Sequence, residues 1–193
     1  MNATRCSPAP FAVIGICVAF IFAAVWVIAV NADVSWVLGE SSLGDLGASD
    51  VQLTADLYNY GLMLCGLLVL IFGLGKGYTE KRCSRASGLV LALTGIFMIV
   101  AGGVSQDVGN GNLHEVAAVL SFFFMAVAVI VSAFGDWAEG KKLNVAVTIV
   151  LFLITLWALA FETLEMAEVV ATGCFLIWII AESVKMMFNV AKA

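Results

Sequence analysis

The sequence predicts an all-α polytopic membrane protein, a single transmembrane domain built as a six-helix bundle. Three observations carry that prediction. First, 63% of the 193 residues are hydrophobic and only 12% are charged, against about 45–50% and about 25% in soluble domains. So few charges cannot coat a water-facing surface. Second, six apolar runs come close to the roughly 20 residues that cross a bilayer. Third, the charges sort onto alternate connections between those runs, as they do when one side faces the cytoplasm.

The runs cover about 11–30, 57–74, 87–104, 116–134, 143–161 and 169–188. None alternates apolar with polar residues as a barrel strand does. In hydrocarbon every backbone N–H and C=O needs an internal partner, so each run is read as a helix.

Run 11–30 follows one basic residue, Arg5. It is long for a signal-peptide core and no small-x-small site closes it, so it reads as a span. Apart from Gly15, Ala19 and Ala23 it is apolar nearly all round, which predicts a place at the bundle edge. The connection 31–55 carries Trp36, Leu38, Leu43 and Leu46 among Gly39, Gly44 and Gly47. Connections that long are often functional, and this one predicts an ordered lid. The second span presents Asp56, Asn59, Met63, Gly66 and Gly73 on one stripe. GLGKG at 73–77 lacks the strand and remaining residues of a phosphate loop, and reads as a helix end. KRCSR at 81–85 reads as a basic loop at the cytoplasmic surface, attractive to anionic headgroups.

The third span repeats Gly88, Gly95 and Gly102 at seven-residue spacing, with Ala92 between. Such small residues allow close helix packing in lipid. The fourth aligns His114, Ala118, Ser121, Met125, Ala128 and Ser132. The fifth carries Asn144, Thr148, Thr155 and Ala158, then Glu162 and Glu165, and the sixth opens on Glu168 and Thr172.

All nine bases fall on one side of this six-span plan. Ten of the fourteen acids fall on the other, leaving Glu80, Asp136, Glu139 and Glu182 with the bases. The bias predicts a multi-pass protein of the cell membrane with N- and C-termini cytoplasmic and an acidic outer face. The lipid bilayer is the predicted partner. No basic, aromatic-interleaved surface for nucleic acid is present. The five cysteines form no CxxC pair, which predicts packing rather than disulfides or zinc.

Asn59, Asp107, His114, Glu162 and Glu168 stand at the outer ends of their spans, and predict an acidic vestibule under the lid. It would bind a cation, a lipid headgroup or a small polar molecule. The single histidine is read in three ways: as a hydrogen-bonding tie to Asn59, Asp107 or a backbone carbonyl, as a titrating group, or as a divalent-cation ligand with Asp107 and Glu168. The catalytic alternative is a membrane-embedded hydrolase or transferase using His114 with Asp107 or Glu168. Ser42 and Ser121 are conceivable nucleophiles, but no G-x-S-x-G elbow holds either. The turn after Asp107 lacks the acid spacing of an EF-hand. A proton-coupled transporter or channel is the third class, disfavoured because the midplane offers only Ser121, Thr94, Thr148 and Thr155.

Several of these residues also carry a family resemblance. The order Ser42-Leu43-Gly44, then Tyr58-Asn59-x-Gly61-Leu62, Asp107, Leu113-His114, and Glu168 before Trp178 resembles the "domain of unknown function 998" family of prokaryotic, largely archaeal, six-helix membrane proteins. It covers roughly residues 11–188. Ser105-Gln106-Asp107 stands where that family tends to have phenylalanine, proline and an acid. The carboxylate is kept and the turn is altered. A fainter likeness runs to the FRAG/DRAM/Sfk-type membrane proteins. The resemblance implies the six-span plan and says little about activity.

Overall fold

A computed structural model describes residues 7–104 and 112–190, with side chains through Phe188. Six helices follow one another: α1 Ala9–Ala32, α2 Gln52–Thr79, α3 Arg82–Gly103, α4 Asn112–Ala138, α5 Lys142–Phe161 and α6 Leu164–Val190. One short 3-10 helix, Gly44–Ala48, interrupts the connection between α1 and α2. Each of the six is long and apolar enough to cross a membrane. Neighbours in sequence pack side by side, and α6 closes the ring against α1. The bundle therefore has a long-loop end, holding residues 33–51, and a short-turn end, where α2–α3 and α4–α5 are joined.

The outer surface is apolar. Phe20, Val119, Phe134 and Leu153 are all exposed, as lipid-facing side chains must be. Exposed Tyr60 and Trp157 mark one level, and exposed Tyr78 and Trp137 the other. Tyr60 and Tyr78 lie eighteen positions apart on one helix, about 27 Å. That is close to the thickness of a bilayer core, with aromatic belts at its two edges.

Glycine sets the tightest contact. A Cβ added at Gly66 would lie 2.8 Å from the Gly95 carbonyl, and one at Gly95 would lie 2.5 Å from the Gly66 carbonyl. Gly73 and Gly88 meet one heptad further on, and Gly102 meets Asn59 one heptad back. The seven-residue repeat keeps one seam of α2 facing one seam of α3.

Two expectations are corrected. The α1 helix does not sit at an edge: it packs between α2 and α6 and buries Ala12, Val18, Phe22 and Ala29. The helix held least extensively is α5, which packs chiefly on α4 and α6. Likewise the helices run past the apolar runs. GLGKG is not a helix end, because α2 continues to Thr79, and KRCSR is the first turn of α3 rather than a loop. The reason is local. Lys76 is fully buried and finds carboxylates inside the protein, so the charge that ends the hydropathy run does not end the helix.

Candidate functional site

The lid is held at five points. Asp33, which ends α1, accepts hydrogen bonds from the Ser35 N–H at 2.9 Å, from the Ser35 hydroxyl at 2.6 Å, and from the Ser49 hydroxyl. These donors hold the Asp33 carboxyl below the usual aspartate range, the Ser35 hydroxyl contributing most. The Trp36 indole N–H donates to the Ser42 carbonyl at 2.8 Å. The Asn59 amide donates to the Gly47 carbonyl at 2.8 Å. Thr163 caps α6 by accepting the Met166 N–H, and its hydroxyl donates to the Gly39 carbonyl at 2.8 Å. Glu168 accepts the Leu43 N–H at 3.0 Å. Leu43, Leu46 and Trp36 are buried against Ala29 and Tyr58.

Beneath this lid lies a cavity of about 70 Å³. Leu43 and Gly44 form its roof, and its walls come from every helix except α5. Phe22, Leu62, Met98, Met125 and Phe175 supply an apolar body. Tyr58, Thr94, His114, Ser121, Glu168 and Thr172 supply the polar side chains. The Thr94 hydroxyl is buried and has no hydrogen-bond partner.

His114 lies in the first turn of α4 and is 4% exposed. Its Nδ1 is 2.9 Å from the Ala101 carbonyl and 3.1 Å from the Val104 carbonyl. Both partners are acceptors, so Nδ1 carries the proton and donates. These carbonyls belong to the end of α3, where helix geometry leaves the last carbonyls without donors. The histidine is thus a side-chain cap for α3. In the neutral ring the other nitrogen, Nε2, is an acceptor.

Of the five vestibule candidates, the structure brings His114 and Glu168 to one cavity. Asn59 turns to the lid backbone instead. Glu162 is exposed at the end of α5 and does not line the cavity. Asp107 lies outside the described residues. No group of three or more His, Cys, Asp or Glu able to hold a metal occurs among the described residues. Ser121 donates to the Ala118 carbonyl at 2.7 Å. It is seven positions from His114 on the same helix, about 10 Å. That is beyond the reach of a general base, so His114 does not activate it. Ser42 has its hydroxyl engaged with the Asp45 N–H.

A second polar cluster, at the short-turn end, escaped sequence reasoning. Lys76 binds Glu80 at 2.8 Å and also Glu182. Lys185 binds Glu182 at 2.6 Å and both oxygens of Asp136 at 3.1 Å. The Ser132 hydroxyl donates to Glu182 at 3.0 Å. This network ties α2, α4 and α6 together inside the protein. Its signal was present in the chain: Lys76 with Glu80, Ser132 with Asp136, and Glu182 with Lys185 stand three or four apart, on one helix face each.

No curated protein and no solved structure matches the chain. The family profile described as "Protein of unknown function (DUF998)" matches residues 16–185, and the chain belongs to that family.

Proposed function

We propose that this protein sits in the cell membrane with both termini cytoplasmic and the lid outside, and that the cavity under the lid binds a small amphiphile. The ligand's hydrogen-bond donors, or a cationic head, meet Glu168 and the Nε2 of His114. Its apolar part lies along Phe22, Leu62, Met98, Met125 and Phe175. One observation carries the reading: a mainly apolar cavity under the lid has a carboxylate in its wall and a buried Thr94 hydroxyl without a partner. A buried hydroxyl left unmade is unfavourable by roughly 1–3 kcal/mol, and a ligand group bonding to it would recover that. The orientation rests on the charges. The seven bases among the described residues, Lys76, Lys81, Arg82, Arg85, Lys141, Lys142 and Lys185, all lie at the short-turn end, the side expected to face the cytoplasm.

Ala118 lines the cavity, and Ala118→Trp fills it. Native mass spectrometry of protein purified in mild detergent should show a small-molecule adduct on the wild type that the filled variant lacks. Identical spectra would rule the binding reading out. For orientation, an impermeant maleimide on intact cells should modify Asp50→Cys and spare the native Cys83, both at exposed positions. The reverse pattern would invert the topology.

A further inference from the structure

We infer that the groove along α2 at the short-turn end is a binding site for one anionic phospholipid. The groove measures about 480 Å³ and is open to the outside of the bundle, between α1 and α3. Phe11, Leu74 and Leu89 form its apolar sides and Tyr78 and Arg85 its mouth. Gly75 lets the Phe11 ring seat directly on α2, since a Cβ there would run into it. In a membrane this apolar surface meets acyl chains.

Charge decides which lipid. At this end of the bundle Glu80, Asp136 and Glu182 are taken up by Lys76 and Lys185, and Glu139 pairs with Lys141 at 2.7 Å. Among the described residues no carboxylate is paired with Lys81, Arg82, Arg85 or Lys142. Three of those four bases fall within five residues at the start of α3, all three are exposed, and Arg85 lines the groove mouth. Glu80, their nearest acid in sequence, is drawn inward onto Lys76. The groove thus ends in a compact positive patch, with a tyrosine at the level where headgroups begin. A phosphate there would take the Arg85 guanidinium, with Lys81 and Arg82 beside it. An acyl chain of the same molecule would fill the groove. A zwitterionic lipid offers the same chain but carries its own cation to the patch, which selects against it.

The test uses the full chain in phosphatidylcholine nanodiscs carrying a minor fraction of phosphatidylglycerol, read by native mass spectrometry. One phosphatidylglycerol should be retained in preference to phosphatidylcholine. Arg85→Gln should lower that retention about fivefold, the factor for about 1 kcal/mol per base near an anionic surface. Leu89→Trp fills the groove at unchanged charge and should abolish it. If that variant does not fold, Leu74→Trp serves the same purpose. Lys142→Gln removes a base from the same end but outside the groove, and should change nothing. Three results would overturn the site. Lys142→Gln could act as strongly as Arg85→Gln, which means diffuse surface charge. Both groove-filling variants could keep the lipid. Millimolar inorganic phosphate could displace it, which means a phosphate site without a chain.

Discussion

At the short-turn end, Lys76 and Lys185 meet Glu80, Asp136 and Glu182 inside the protein, charge against charge. At the lid end, Asp33 and Glu168 meet only neutral donors, hydroxyls and backbone N–H groups. The difference separates two jobs. Opposite charges taken out of water satisfy one another, and when three helices supply them the result fixes how α2, α4 and α6 sit. A carboxylate that accepts only neutral donors has no countercharge bound to it. It can order a connection such as 33–51, and at the cavity wall it still offers an oxygen to whatever enters. One end is therefore closed by its charges, and the other is left acidic by them.

The largest effect should come from breaking the closed end. Glu182 is 2% exposed and serves both lysines, so Glu182→Gln leaves two buried ammonium groups with one partner fewer each. Removing one member of a buried pair destabilises by about 3–5 kcal/mol. Chemical unfolding in detergent should show a loss of that size. Glu168→Gln should lose less than about 1.5 kcal/mol, because an amide oxygen can still accept the Leu43 N–H. Equal losses would erase the distinction between the ends. A cycle sharpens it further: Lys185→Met combined with Asp136→Leu should be milder than the sum of the two single changes, since neither charge is then orphaned.

A middle-sized effect belongs to His114, which serves the lid end through structure as well as through the cavity. His114→Ala strips the donor from the Ala101 and Val104 carbonyls, and should lower stability by about 1–3 kcal/mol. His114→Gln, which keeps an N–H donor, should recover part of it. If His114→Ala is neutral in the same unfolding measurement, the cap is not a stabilising contact and the imidazole is held in place for the cavity alone.

How much of this was legible follows from the same physics. The six spans were, because hydrocarbon demands long apolar helices and the sequence has no other way to be this greasy. Their ends were not. Lys76 looks like a boundary to any count of apolar residues, yet a charge with a partner is at home inside, and the partners, Glu80 and Glu182, lie 4 and 106 positions away. The facing seam of α2 and α3 was readable from Gly66, Gly73, Gly88 and Gly95, since the repeat names the surface in contact. The place of α1 was misjudged, because an all-round apolar helix packs equally well on lipid or on protein and carries no stripe to decide. At the cavity, His114 and Glu168 could be grouped by depth alone. Their actual partners are backbone atoms of Ala101, Val104 and Leu43, and a backbone partner leaves no mark in a sequence. Asn59 was grouped with them on the same ground, but depth does not say which way a side chain turns.

The smallest effect tests the lid end by pH. Asp33 holds its carboxyl below the usual aspartate value through the hydroxyls of Ser35 and Ser49 and the Ser35 N–H. A carboxyl depressed on folding contributes stability that is fully present above its unfolded value, about 3.9, and is lost as pH falls through its folded value. The tie between α1 and the lid should therefore be constant from pH 5 to 8 and weaken below about pH 4. Asp33→Asn removes the ionisable group, so the gap in melting temperature between wild type and variant should be flat across the neutral range and shrink in acid. The Lys76–Glu182–Lys185–Asp136 network also responds to acid, but it is common to both proteins and cancels in the difference. A gap that stays constant down to pH 3, or widens there, would mean that the Asp33 charge does not secure the lid. The acidic character of this end would then be held by Glu168 and Asp45, whose carboxylates accept the Leu43 and Ser42 N–H groups.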